Sequence, residues 1–197
     1  MVEPRWASST VDEVARAALP APTAALTVSV FDDLRVVSLR HLPGGAAAIE
    51  AALATHGLMP LPQPGACRGN DPWLLWTGPT ECLLLSSQGG LVDGVLQALA
   101  PGRETLAFAV DRSAGCQVFD LLGSGVADLL PRLVDASAIP QRAGQGHRAR
   151  WMDIGAVLVR VEPDRVLLVI DRMHGVCAAQ WIRHALLPPD SQGLRPP

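Results

Sequence analysis

The hydrophobic positions of this chain fall into two kinds of run. Some recur every three to four residues and predict helices with one apolar face. Ala46, Ile49, Ala52 and Leu53 form one such set, and Leu91, Val92, Val95, Leu96 and Leu99 a second. Val126, Leu129, Leu130, Leu133 and Val134 form a third, and a last helix is predicted from about Gly175 to Leu187. The other runs are short, rich in valine and leucine and bounded by turn residues, which predicts strands. They cover 34–40, 73–77, 82–86, 105–110, 116–122, 147–152, 155–161 and 165–170.

These strands lack the alternation of a sheet with one wet face. WLLWTGPTECLLLS (73–86), AVLVRV and VLLVI all offer apolar residues to both sides. Helices cover one side of such a sheet. The other side is expected to meet a second sheet, a partner surface, or both.

Turn signals divide the elements into two halves. Gly57 stops the first helix, GLMPLPQPGACRGNDP (57–72) reads as a surface loop, and Gly78-Pro79 turns the hairpin. Residues 34–110 then run β-α-β-β-α-β, the ferredoxin-like split motif. Residues 111–187 run β-α-β-β-β-α, a related but different order. Residues 1–33 read as a loose lead-in and 188–197 as a flexible tail. The expected fold class is α+β, two ferredoxin-like halves with antiparallel sheets.

Composition narrows the chemistry. The 197 residues are 49% hydrophobic and 18% charged, ample for a packed core, and the net charge of −3 gives no pull toward nucleic acid or an anionic membrane. All sixteen basic residues are arginine, so lysine chemistry is excluded, both Schiff-base and P-loop. The N-terminus does not resemble a signal peptide, and no stretch reaches the roughly 20 apolar residues of a membrane span. The four cysteines are scattered without metal-binding spacing and read as reduced core residues of a cytoplasmic protein.

Few constellations stand out. Gly123-Ser124-Gly125 follows a strand and opens a helix, but lacks the third glycine of a dinucleotide fingerprint, so Ser124 reads as the N-cap of a helix over 126–134. Asp111 and Ser113, at a strand junction, either bond their own backbone or orient a ligand. Arg142, Arg148 and Arg150, with His147, form the one basic cluster, able to face an acidic partner or plain solvent. Trp73, Trp76, Trp151 and Trp181 suit core or interface anchoring, and with Arg148 and Arg150 are the candidate interface residues. The five histidines lack metal-ligand spacing, and no catalytic set emerges.

Two longer segments carry a resemblance. DPWLLWTGPTECLLLS (71–86) resembles the W-x-x-LGP-D/E-E-W/F-LLL element of the gamma subunit of heterotetrameric sarcosine oxidase. AVDRSAGCQVFDLLGSGVADLLPRLVDASAIP (109–140) resembles the D-x-S-x-G…L-x-G-x-x-A-x-x-L-L segment of that family, shared with the aminomethyltransferase (T-protein) of the glycine cleavage system. VLLVIDRMHGVCAAQWIRHAL also fits the gamma subunit. Ala114 stands where the wider family often has histidine, and Leu122-Gly123-Ser124-Gly125 replaces its Ser/Thr-Gly-Pro helix opening.

The resemblance implies the N-terminal part of the aminomethyltransferase folate-binding fold, in a small non-catalytic subunit. Its partners would be the alpha, beta and delta subunits of a cytoplasmic heterotetramer. FAD, FMN, NAD and tetrahydrofolate are then expected on partner subunits and zinc on the smallest. The assembly would oxidise sarcosine or a related N-methyl amine to glycine, with tetrahydrofolate taking the one-carbon unit. The alternative is a stand-alone folate-dependent aminomethyltransferase or folate-binding protein, against which the chain length argues.

Overall fold

The computed structural model describes residues 10–58, 60–100 and 106–187. The expected strand start at Thr105 and the tail 188–197 lie outside them. In chain order the elements are α1 (Thr10–Ala18), β1 (Thr27–Val30), β2 (Arg35–His41), α2 (Ala46–Ala54), β3 (Cys67–Arg68), β4 (Trp73–Gly78), β5 (Glu81–Ser86), α3 (Gly89–Ala98) and β6 (Ala107–Asp111). There follow β7 (Cys116–Leu122), α4 (Val126–Leu129), β8 (Gln145–Trp151), β9 (Ile154–Glu162), β10 (Arg165–Asp171) and α5 (Gly175–Ala185).

The first half has the expected order, with β3 added inside the predicted loop. Its sheet runs β3-β4-β5-β2-β6, antiparallel throughout, which is the strand order of the split motif plus an edge strand. The second sheet runs β1-β7-β10-β9-β8. Its strands repeat that order position for position, with β7 for β2, β10 for β5 and β9 for β4. The fourth strand, which the second half lacks, is supplied by β1, with Thr27 opposite Leu122 and Val30 opposite Phe119. The chain is thus two copies of one motif, the second closed by a strand from the N-terminus. The stretch read as a loose lead-in contains this strand and helix α1.

Helix α1 is held by a polar network rather than by apolar burial alone. Asp12 is 6% exposed; it accepts from Gln117 Nε2 (2.9 Å) and pairs with Arg172, whose Nη2 donates to Ser113 O (3.0 Å). These bonds tie the N-terminal helix to β7 and to the start of α5, because a buried carboxylate is tolerated only when its acceptors are met.

The third predicted helix is shorter than expected. Regular α-helix ends at Leu129 and continues as a 3₁₀ turn, Leu130–Arg132, containing Pro131, whose ring cannot sit in an α-helix interior. Gly125, not Ser124, is the N-cap, and no side chain caps this end. Gly123 has φ +119, and a Cβ there would stand 2.3 Å from the Ala25 carbonyl, which accepts from the Gly125 amide (2.8 Å). The helix start is therefore fixed by the close approach of the β1 lead, and Ser124 is left exposed.

The two-sided strands are explained by stacking. In the hairpin, Trp73, Leu75, Leu83 and Leu85 face the second sheet, and Leu74, Cys82 and Leu84 face α2 and α3. In the second sheet, Cys116, Val118, Val157, Val159, Leu167 and Val169 point inward. Phe119, Leu121, Leu158, Val166, Leu168 and Ile170 pack against α4 and α5. Four layers result: helices, sheet, sheet, helices. At one corner the sheets are stitched by backbone: Cys67 N donates to Gly144 O (2.7 Å) and Gly146 N to Gly65 O (3.0 Å). Gly146 lies under Leu75, where a Cβ would come within 2.1 Å of its Cδ1.

Trp73, the first residue of β4, is 4% exposed within the inter-sheet layer. Its truncation opens a cavity there, so Trp73→Ala should destabilise the chain by about 3–5 kcal/mol. Urea denaturation followed by circular dichroism measures it; a loss under 1 kcal/mol would show that the layer does not hold the fold.

Candidate functional site

Between residues of the two sheets lies a cleft of about 290 Å³. Its floor is apolar: Val36 and Leu83 from the first sheet, Val157 and Val169 from the second, with the Cys116 thiol beside them. Its rim carries Glu81, Arg148, Arg112 and Asp171, so both charge signs stand over a greasy interior.

The rim groups are bonded to one another. Arg148 crosses from β8 to the β4–β5 hairpin, donating from Nε to Thr77 O (2.8 Å) and from Nη2 to Glu81 Oε2 (2.5 Å). Glu81 Oε1 accepts from the Ser38 hydroxyl (2.8 Å) and from Arg40 Nη2 (3.2 Å). Burial opposes ionisation of Glu81, but Ser38, Arg40 and Arg148 outweigh it and hold the carboxyl below its ordinary value of 4.5. Arg112 and Asp171 form a longer pair, at 3.4 Å.

Asp111 and Ser113 form a fastening between the halves. Asp111 Oδ1 accepts the Ser113 amide (2.9 Å) and hydroxyl (2.5 Å), and Oδ2 accepts from Arg35 (2.5 Å). Ser113 Oγ in turn accepts the Val36 amide (3.0 Å). Burial raises the Asp111 carboxyl, but Ser113 and Arg35 bring it below the usual carboxylate range. Of the two readings of this motif, the backbone-bonding one is what the geometry displays: both oxygens are engaged where the chain passes from β6 to β7.

The other candidate residues are dispersed. Trp151 is no surface anchor: it is fully buried under the helices of the second half, because its strand pairs back to Val134 and turns the indole into that core. Trp73 lies between the sheets, Trp76 is half-buried, and Trp181 is half-buried against the same core as Trp151. Arg150 is exposed near Asp153 (3.8 Å), and Arg142 is exposed on the preceding loop, so of the basic cluster only Arg148 reaches the cleft. Gly123 and Ser124 stand at the β1 lead, away from it.

Sequence reading passed over Glu81, Arg112 and Asp171. The available signal was a charged residue at the end of an otherwise apolar strand, in ECLLLS and VLLVID. Cys67, Cys82 and Cys116 are buried and Cys177 is exposed. Burial pushes the Cys67 and Cys82 thiols up to about 12, which suppresses the thiolate. Among the described residues no group of three or more His, Cys, Asp or Glu is placed to hold a metal, and no helix is long and apolar enough to cross a membrane.

Because the folded-state values of Glu81 and Asp111 are depressed, their contribution is complete above the unfolded values, near pH 4–4.5, and is lost as pH falls through the lower folded ones. Glu81→Gln should therefore flatten the fall in stability below about pH 4.5, as read by urea midpoints from pH 3 to 7. Parallel curves for the variant and the parent would show that the cleft carboxylate is not linked to folding.

No protein-family model and no curated protein matches the sequence. Solved structures do match the fold. A chain of heterotetrameric sarcosine oxidase from Corynebacterium sp. U-96, in complex with pyrrole 2-carboxylate, superposes over 90% of this chain and 92% of its own, with 24% identity and a TM-score of 0.73. The glycine cleavage system aminomethyltransferase T from Bartonella henselae superposes over 87% of this chain but 48% of its own, with 12% identity and a TM-score of 0.60. This α+β chain of two ferredoxin-like halves thus has the fold of a heterotetrameric sarcosine oxidase chain and of about half of an aminomethyltransferase.

Proposed function

We propose that this chain is the gamma-type, non-catalytic subunit of a multi-subunit flavin-dependent oxidase acting on sarcosine or a related N-methyl amine. The observation that supports it most is the extent of the fold match, which takes in nearly all of the oxidase chain and about half of the aminomethyltransferase. The gamma-like elements 71–86 and 109–140 fall on the inter-sheet hairpin and on the passage between the halves, so the resembling segments are those that build the fold. In this reading FAD, FMN, NAD and tetrahydrofolate reside on the alpha and beta subunits and zinc on delta. The chain itself contributes a rigid surface that supports the large subunits, in a cytoplasmic complex.

A second reading has one observation in its favour. The inter-sheet cleft, apolar below and charged at the rim, sits in a fold shared with an aminomethyltransferase, and a folate-binding chain would use such a cleft.

Co-expression separates the two. With the large subunits of its own organism's oxidase, the chain should co-purify at fixed stoichiometry, and omitting it should lower the yield of flavinated complex. Activity per flavin, measured with and without the chain, and titration of the isolated chain with tetrahydrofolate are the readouts. A monomer that never co-purifies, and that binds or turns over the folate unaided, would replace the first reading with the second.

A further inference from the structure

The duplicated architecture supplies an internal control for what the fold itself requires at the surface. Strand β6 is the edge of the first sheet and β1 the edge of the second, and each pairs with the first strand of its own motif. In register, Phe108 lies opposite Arg40 and Val110 opposite Ser38, and these pair onward with Glu81 and Leu83. In the second sheet Thr27 lies opposite Leu122 and Ser29 opposite Asp120, which pair onward with Arg165 and Leu167. Leu83 and Leu167 both point into the inter-sheet layer, so Phe108 corresponds to Thr27 and Val110 to Ser29.

At these equivalent places the two copies differ. Ala107 and Ala109 pack toward the helices, so strand alternation turns Phe108 and Val110 to the opposite face, beyond the reach of the second sheet. They are 38% and 45% exposed, and Leu106 and Leu42 beside them are 41% and 54% exposed. The second copy meets the same geometry with a threonine and a serine. The apolar stripe on β6 is therefore surplus to the fold.

The ground behind the stripe carries an excess of positive charge. Arg40 and Arg148 share the one carboxylate of Glu81, and Arg40 remains 49% exposed in its side chain. A surface that complements this place is apolar at its centre and presents a carboxylate to Arg40.

We infer that the stripe Leu106, Phe108 and Val110, with Leu42 and Arg40, is the surface through which this chain docks a larger partner protein, whose contact patch is apolar and bears an acidic side chain. This rests on the proposed role as an assembly subunit and deepens it by naming the docking face.

The test installs the second copy's own solution. Phe108→Thr with Val110→Ser should leave the urea midpoint near that of the parent, because the fold already carries those residue types at the equivalent places. Binding to the purified large subunits of the same oxidase should weaken at least tenfold, and Arg40→Gln alone should weaken it at least threefold. Should the double variant not fold, Arg40→Gln decides: weaker binding supports the face, and binding within error of the parent overturns it. If the parent binds and the folded double variant binds equally well, the docking face is wrong and the assembly role stands. If the parent does not bind the large subunits, role and face fall together. If the parent instead self-associates and the double variant is monomeric by gel filtration, the occupant is a second copy of this chain, which also overturns the inference.

Discussion

Everything in this molecule depends on one apolar layer, the one in which Trp73, Leu75, Leu83 and Leu85 of the first sheet meet Val157, Val159, Leu167 and Val169 of the second. A ferredoxin-like unit has helices on one side of its sheet only, so an isolated half would leave a broad apolar face in water. Stacking two halves face to face removes both faces at once. Each fully buried aliphatic side chain contributes about 1.5–3 kcal/mol relative to exposure, and the layer holds ten buried leucines and valines beside Trp73, Cys67 and Cys116. That constraint explains the unbroken strands WLLW, CLLL and VLLVI, which must be apolar on the helix side and on the sheet side alike.

The polar devices lie where the layer ends. The Asp111–Ser113 fastening holds the passage between halves, Arg148 bridges β8 to the hairpin, and Asp12 with Gln117 and Arg172 holds the N-terminal helix. Each places charged or amide groups at an edge of the packing, where the partner group offsets the cost of leaving water. The cleft is lined by residues of both sheets, and its rim charges pair across it, Arg148 with Glu81 and Arg112 with Asp171. Strand β6, at the edge of its sheet, leaves Phe108 and Val110 exposed.

Much of this was legible in the sequence, for identifiable reasons. Strand β7 was found with its limits intact, since CQVFDLL is bounded by a glycine on each side. Missing alternation signalled that the second face of each sheet is covered, by a second sheet, a partner surface or both, and the structure shows the sheets stacked. By contrast, TVSV in β1 is four residues long and pairs with β7 some 90 residues away, so nothing local marks it as the strand that completes the second motif. The Ser124 cap failed because Ala25, remote in sequence, takes the Gly125 amide and sets the helix start, and the predicted helix was too long because Pro131 ends the α-helix early. Trp151 carries an indole that suits an interface, yet its strand pairing turns it inward. The cleft drew one residue from the basic cluster and several from strands whose charged ends gave little warning. Local chemistry was readable; placement set by distant pairing was not.

The central claim is that the inter-sheet layer makes the two halves a single cooperative unit. Native-state hydrogen exchange along a denaturant series tests it residue by residue. The account predicts that amides in β2, β4 and β5 and amides in β7, β9 and β10 converge on one unfolding free energy, with β1 joining them. Loss of protection in one sheet, at denaturant concentrations where the other stays fully protected, would contradict it.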